Sequence, residues 1–510
     1  MSFLCAYPWE RCGPYFAGRM CRVLAAFVRN CLTLVTTTPI TGTQRLSKTA
    51  ILGMIAMGVA VLVVANDFTA LSVALPAIEK RFSTNVTTVQ WVINGYAMVF
   101  GVCIVTGGRL ADMFGRRRIF VLGSALFALC SVVGGFASDI WLLLACRFAM
   151  GVGGAMMWPA ILGMTYGLVP AERAGLAGGV ILGAAGFGNA VGPLLGGLLT
   201  DTIGWRWIFF LNLPVAAAAI LIVMAVVPGD VETRHDKGID YLGMTVLTVG
   251  LLALLLALDW ALDLGWTAPL ILGLFCLAAV ALVVFSFVER RAGEDALVPK
   301  NVLRNRSFAA ACLSTLFCSA IFFAALLYLP QFMSKELGFN AANSGAGLLP
   351  MMGMFMITSF IAGRLYEILG PKIIVSLGAL LLGAGMALLS ALHSSTTYHE
   401  LIFGMVVLGI GVGLFYSSVT TAAVTALEPS EASLAGAIVY MCQIAGGSIG
   451  VALNTVIVVS ASSMPSGIHT AFLVDGALAL CSAIVALAAV GGAIDPERLR
   501  SLRHHHRAHA

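Results

Sequence analysis

Charge is what this 510-residue sequence lacks: only 10% of it is Asp, Glu, Lys or Arg, against about 25% in an average soluble domain. With 60% hydrophobic residues and a mean hydropathy of +0.97, that scarcity excludes a soluble globular domain. It also excludes nucleic acid as a partner, because the basic residues lie in short clusters between apolar runs and form no continuous basic face. Zinc-site spacing is missing as well. There are twelve cysteines, but none forms a CxxC pair and no histidines stand at ligand spacing. Cys5, Cys12, Cys21 and Cys31 lie in the N-terminal tail, and the other eight sit inside apolar runs, where cysteine serves as a small apolar side chain. No metal site and no cofactor are expected. A catalytic constellation is also lacking. In "HDKGID" (235–240), His235 and Asp240 satisfy the HxxxxD spacing of acyltransferases. No second catalytic block accompanies them, and Asp240 suits a helix start, so the chain is expected not to be an enzyme.

What the chain has instead is apolar length. A bilayer-spanning helix needs about 20 apolar residues, and fourteen such segments run between residues 51 and 493. This makes an all-α integral membrane protein with the lipid bilayer as its solvent. With a cytoplasmic N-terminus, Lys80, Arg81, Arg206 and Lys335 fall outside and Arg147 falls within the membrane. Every other one of the 29 Lys and Arg residues then lies on the cytoplasmic side, as the positive-inside bias requires. Both termini are then cytoplasmic. Residues 1–48 read as a basic tail without a clean signal-peptide pattern, and 495–510 as a second tail.

The sequence repeats itself. "GRLADMFGRR" (108–117) matches "GRLYEILGPK" (363–372), "GVGGAMMWP" (151–159) matches "GIGVGLFYS" (409–417), and "PAERAGLAGG" (170–179) matches "PSEASLAGA" (429–437). Two six-span halves at 49–230 and 301–494 follow, related by a parallel repeat. The two spans within 231–300 have no counterpart and read as an insert.

These motifs carry a resemblance. The chain, over about residues 50–493, resembles the major facilitator superfamily, and within it the fourteen-spanner drug:proton antiporter family. "GRLADMFGRRR" is similar to the loop 2–3 motif, "LLLACRFAMGVGGA" (142–155) to the span 4 motif with its buried arginine, and "GNAVGPLLGGLL" (188–199) to the span 5 motif that accompanies antiport. "NDFTALSVALP" (66–76) and "WRWIFFLNLP" (205–214) resemble the family's span 1 and span 6 motifs. The resemblance implies a two-lobed fold plus two inserted helices, working by alternating access. Some relatives carry an acid in span 10. None stands between 343 and 366 here, which argues against divalent cations as cargo.

Site residues follow from charge in apolar surroundings. Arg147 costs about 2.5–3.5 kcal/mol in mid-membrane, so it should face inward and find a partner. Asp67 is the candidate. It lies about nine residues, roughly 13 Å, below the outer end of span 1, and Arg147 about seven residues, roughly 10 Å, below that of span 4. Burial and a neighbouring arginine act on a carboxylate's proton affinity in opposite senses, so Asp67 is expected to exchange protons and cargo at one site; the plainer alternative is a fixed ion pair. Gly108, Asp112, Gly115, Arg116 and Arg117, with the repeat pair Glu367 and Lys372, form the expected gating motif. Asp112 could face a helix N-terminus in the other half; alternatively the arginines only fix topology. The resemblance implies that Gly188, Gly192, Pro193, Gly196 and Gly197 form a tight antiport seam between the halves; the alternative is routine helix packing, which the same glycines would serve.

Polar groups inside spans mark the cavity: Trp91, Asn94, Tyr96, Asn189, Gln443 and Asn454. Met351, Met352, Met354 and Met356 crowd span 10, where ordinary packing is expected of most. Asp475 is expected to reach the outer interface, the alternative being a weak proton site, and Asp259 and Asp263 to be solvated at the outer end of span 7. The expected function is proton-coupled export of amphipathic, lipophilic or cationic small molecules by a monomer in the plasma (inner) membrane, the partners being small-molecule substrate and protons. Alternatives are export of an endogenous metabolite or lipid-like compound, nutrient symport, and a polytopic acyltransferase.

Overall fold

The computed structural model describes residues 47–229, 240–293, 296–299, 304–339, 341–391 and 396–491, together with residue 302. Most of both tails, His235 and the Asp263 side chain lie outside the described residues, as do the four N-terminal cysteines.

In lipid every backbone N–H and C=O must be satisfied within its own element, which favours long uninterrupted helices. Fourteen described helices are long and apolar enough to cross a membrane. The first six are α1 (Lys48–Phe82), α2 (Val86–Phe114), α3 (Arg116–Gly135), α4 (Ile140–Gly167), α5 (Ala174–Thr202) and α6 (Arg206–Val226). Two follow as an insert, α7 (Tyr241–Leu264) and α8 (Pro269–Ala292). The last six are α9 (Arg306–Lys335), α10 (Leu349–Leu369), α11 (Pro371–Ser390), α12 (Tyr398–Thr425), α13 (Ala432–Val459) and α14 (Met464–Ala489). Polar caps set several starts, since a side-chain oxygen satisfies an orphan backbone donor. Asn85 Oδ1 accepts from Thr88 N at 2.7 Å and Asp139 Oδ1 from Leu142 N at 2.9 Å. Asp240 Oδ1 accepts from Gly243 N at 2.7 Å, so this acid of the HxxxxD pattern is a helix cap. The α2–α3 and α10–α11 corners each turn on a glycine at positive φ, Gly115 (102°) and Gly370 (83°), where a side chain would be strained.

Packing repeats with the sequence. In the first group α1 packs on α5 and α6, α2 on α4, and α3 on α4 and α6. In the second, α9 packs on α13 and α14, α10 on α12, and α11 on α12 and α14. The groups meet where α5 lies against α10 and α2 against α13. Helix α7 rests on α2 and α13, and α8 packs on α7 with most of its surface exposed.

Candidate functional site

The strongest electrostatic feature is sealed inside the first group. Arg147 Nη1 donates to Asp67 Oδ2 at 2.5 Å, and both side chains are 0% exposed. Helix α6 adds Asn212, whose Nδ2 donates to Asp67 Oδ1 at 3.0 Å and to Ser131 Oγ at 3.0 Å. Arg147 Nε donates to the Val92 carbonyl at 2.6 Å, and its guanidinium lies 4.4 Å from the centre of the Tyr96 ring. Arg147 of α4 and Asn212 of α6 thus hold the one carboxylate of α1, and Ser131 of α3 with Val92 and Tyr96 of α2 hold those two in turn. A buried ion pair survives only with such extra partners, because desolvation otherwise exceeds the Coulomb gain. Asn212 and Ser131 escaped the sequence reading. Asn212 lies within the quoted span 6 motif, and its signal was a lone amide in an apolar run.

A cavity of about 310 Å³ lies between the two groups. Asn94, Asn189 and Gln443 line it, as expected, and so does Met352, alone of the four span 10 methionines. Several expectations fail here. Asp67 and Arg147 do not line the cavity, so one carboxylate cannot hold proton and cargo by direct contact in this conformation. Asp67 points back into its own half, while Val64, Ala65 and Thr69 of the same helix α1 face the cavity. Tyr96 is 0% exposed and packs over Arg147. Trp91 turns away to a separate groove beside Trp141 and Phe148. Asn454 is buried and donates to Asp475 Oδ1 at 3.1 Å. Asp475 is itself 0% exposed, so it does not reach the interface: the amide gives it an internal partner. Asp259 is not a solvated end residue. It lines the cavity from α7, and Asn94 Nδ2 donates to its Oδ1 at 3.4 Å.

At one end of the bundle the groups are latched. Asp112 accepts from Leu434 N at 2.8 Å and Ser433 N at 3.3 Å, capping α13 of the other group. Glu367 Oε1 accepts from Leu176 N at 3.1 Å, capping α5 in return. An anion at a helix N-terminus meets both orphan N–H groups and the positive end of the helix dipole. Arg116 Nε braces Asp112 at 2.9 Å, and the same guanidinium donates to the Gly163 carbonyl at 3.0 Å and to that of Pro429. Of the repeat copy, Glu367 takes part in the latch, while no contact among the described residues places Lys372 in it. Lys372 repeats Arg117, not Arg116, and Arg117 holds the last carbonyls of α6, Val227 at 3.0 Å and Met224 at 2.8 Å. Pro371 stands where Arg116 would recur. Gly108 does lie on the seam: a Cβ there would stand 2.7 Å from Ala437 Cβ.

The span 5 glycines also depart from expectation. A Cβ at Gly188, Gly192 or Gly196 would strike Ala65, Thr69 or Ala70 of α1 within their own group, and Gly197 looks toward Val73 of the same helix. The seam between groups is lined by other glycines of α5. A Cβ at Gly175 would lie 2.1 Å from the Gly363 carbonyl oxygen, and one at Gly179 3.0 Å from that of Ser359. The Gly188 series and the Gly175 series occupy different faces of one helix. Pro193, inside α5, leaves the Asn189 carbonyl without its intrahelical donor.

Membrane-length helices in two repeated groups, with a cavity between them and reciprocal latches at one end, define a multi-pass membrane transporter. The chain belongs to the Major Facilitator Superfamily, whose sequence profile matches residues 57–358 and 311–507. It is 36% identical to a puromycin resistance protein (pur8) of Streptomyces alboniger, over 79% of this chain and 81% of that one. It is 29% identical to the tetracenomycin C resistance and export protein of Streptomyces glaucescens, over 80% and 76%. It is 30% identical to the multidrug transporter protein MdtP of Bacillus subtilis, over 76% and 72%. The fold is shared with the human organic anion transporter MFSD10 (TETRAN), at a TM-score of 0.63 and 15% identity over 86% of this chain and 99% of that one. Its members move small molecules across membranes.

Proposed function

We propose that the protein is a proton-coupled antiporter that exports amphipathic, lipophilic or cationic small molecules as a multidrug efflux pump. It works as a monomer in the plasma (inner) membrane, with both termini and the latched end cytoplasmic. Two supports converge. Relatives at 29–36% identity bear the names of antibiotic-resistance, export and multidrug proteins. A buried carboxylate on α1 backs directly onto residues that line the cavity, and this observation carries the proposal.

Coupling then runs through a helix. Asp67 faces Arg147 and Asn212 on one side of α1, and Val64, Ala65 and Thr69 face cargo on the other. A proton on Asp67 removes its charge, weakens the bond to Arg147 and frees α1 to move against its neighbours. Cargo favouring one position of α1 and protons favouring the other drive exchange by differential binding. Each inward proton supplies about 2.3 kcal/mol per 100 mV of membrane potential. The test is efflux of a lipophilic cationic dye, with and without a protonophore, in cells carrying wild type or Asp67→Asn. Wild-type efflux should collapse on adding the protonophore, and the variant, less stable for its uncompensated Arg147 but present in the membrane at a level checked by immunoblot, should fail at driven efflux. Driven efflux by Asp67→Asn at the wild-type rate would remove Asp67 from the mechanism.

A further inference from the structure

We propose that Asp475, on α14, is a second proton-binding site, held as a neutral carboxylic acid against Asn454 of α13 and emptied when that helix moves. Its part in coupling rests on the transport reading above. It gives the second group a proton carrier that lies outside every motif quoted above. Asp475 and Asn454 are both 0% exposed. Asn454 Nδ2 donates to the Gly450 carbonyl at 2.9 Å and to Asp475 Oδ1 at 3.1 Å. A carbonyl only accepts, so the amide nitrogen is the end that faces Gly450. This orientation leaves two buried oxygens, Asp475 Oδ2 and Asn454 Oδ1, without a hydrogen-bond partner among the described residues. A carboxylate oxygen and an amide oxygen are both acceptors, so neither serves the other. A proton on Oδ2 turns it into a donor, and it is the smallest change that serves both.

No side-chain cation supplies the balance instead. Helix α14 packs on α9, α11 and α13. Their Lys and Arg residues are Arg306, Lys335 and Lys372, all at helix ends, and α13 has none. The other titratable groups of these helices are engaged elsewhere: Tyr328 with Thr455, Cys318 with Ser482, Cys312 with Cys442, and Tyr440 with Trp158. On α14 itself, His469 is bonded to the Ser390 carbonyl and Cys481 is exposed. Asp67 has an arginine on one oxygen and an amide on the other; Asp475 has an amide on one alone. A buried carboxyl group with so little support takes a proton rather than carry a charge.

Position ties the site to transport. Helix α13 turns Val451 and Ala452 to the cavity and Asn454 to Asp475, and it packs on α2 and α4 of the first group. Relative movement of the groups therefore acts on the helix that carries the amide. When Asn454 parts from Asp475 and water reaches Oδ2, the O–H bond breaks, the proton passes to water and the electron pair stays on a solvated carboxylate. The proton is thus bound in one form and released in the other.

The test uses full-length protein in liposomes, with two readouts. Infrared spectra at neutral pH should show the C=O stretch of a protonated carboxylic acid in wild type. The band should vanish in Asp475→Asn and shift without vanishing in Asn454→Val, which removes the amide and keeps the acid. The second readout is ethidium accumulation driven by a tenfold proton gradient, with the membrane potential clamped at zero. Each exchanged proton multiplies the attainable ratio by the gradient, so Asp475→Asn should accumulate about tenfold less than wild type at steady state. A spectrum without the band in wild type, or with the band unchanged in both variants, would overturn the proton site. The band lost in Asp475→Asn with an unaltered accumulation ratio would make Asp475 a fixed acid and overturn its role as a carrier. The expected spectra with no proton-driven movement of ethidium by wild type would uphold the site and overturn the export reading instead.

Discussion

At the scale of single residues, Arg147 is the hardest side chain to replace. It reaches Asp67, the Val92 carbonyl and the Tyr96 ring at once, a geometry that suits a planar guanidinium and not the point charge of lysine. Removing one partner of a buried pair leaves the other charge uncompensated, at a cost of about 3–5 kcal/mol. Arg147→Met should therefore lower the unfolding midpoint of the detergent-solubilised protein sharply. Adding Asp67→Asn should recover most of that loss, because the orphaned charge is gone while Asn212 keeps an acceptor at position 67. A double variant no more stable than Arg147→Met would mean that the arginine acts through packing alone. The sequence made Asp67 and Arg147 visible because charge inside an apolar span is rare and costly. It did not show which way Asp67 faces. Helix α1 is apolar nearly all round, and such a helix carries no amphipathic signal of orientation.

At the scale of helices, the same blindness explains the two glycine faces of α5. The sequence spacing of Gly188, Gly192 and Gly196 announces close packing, but not against which neighbour. The structure spends that face on α1 and the Gly175 face on α10. The seam between groups therefore depends on Gly363, where an added Cβ would stand 2.3 Å from the Gly175 carbonyl oxygen. Backbone cannot yield there unless α5 and α10 separate. Gly363→Ala is expected to disfavour the latched form. Pulsed EPR between spin labels on the latch ends of α5 and α10, in a cysteine-depleted background, should show the population shifted to longer distances. Gly188→Ala, which presses on α1 within one group, should leave that distance distribution close to wild type. Identical distributions for Gly363→Ala and wild type would refute the assignment of the seam.

At the scale of the whole molecule, span count, repeat and the separateness of the insert were all legible in the sequence, because hydropathy and motif order are one-dimensional signals. The insert's contribution to the cavity was not, since an acid near a span end reads equally well as solvated. The reciprocal latches were largely legible: the motif and its repeat announce Asp112 and Glu367 as a pair of latches, whereas the helix that Glu367 caps is not written in the sequence. Their geometry orders their strengths. Asp112 takes two N–H groups at the α13 N-terminus and is braced by Arg116, whereas Glu367 takes one at α5. A carboxylate at a helix N-terminus contributes about 0.3–1 kcal/mol when exposed and up to about 2 when partly buried. About 1 kcal/mol changes the ratio of two forms roughly fivefold. Thr421, 0% exposed on α12, turns its side chain toward Gly178 of α5 across the seam, so in a cysteine-depleted background a cysteine placed there by Thr421→Cys reports opening of the latched end. Its alkylation by a maleimide should accelerate about fivefold on adding Asp112→Ala and less on adding Glu367→Ala. With both latches removed the two factors should multiply, since the latches sit on different helix pairs and share no partner. Equal or reversed effects would mean that the two caps do not hold the groups together as their hydrogen bonds imply.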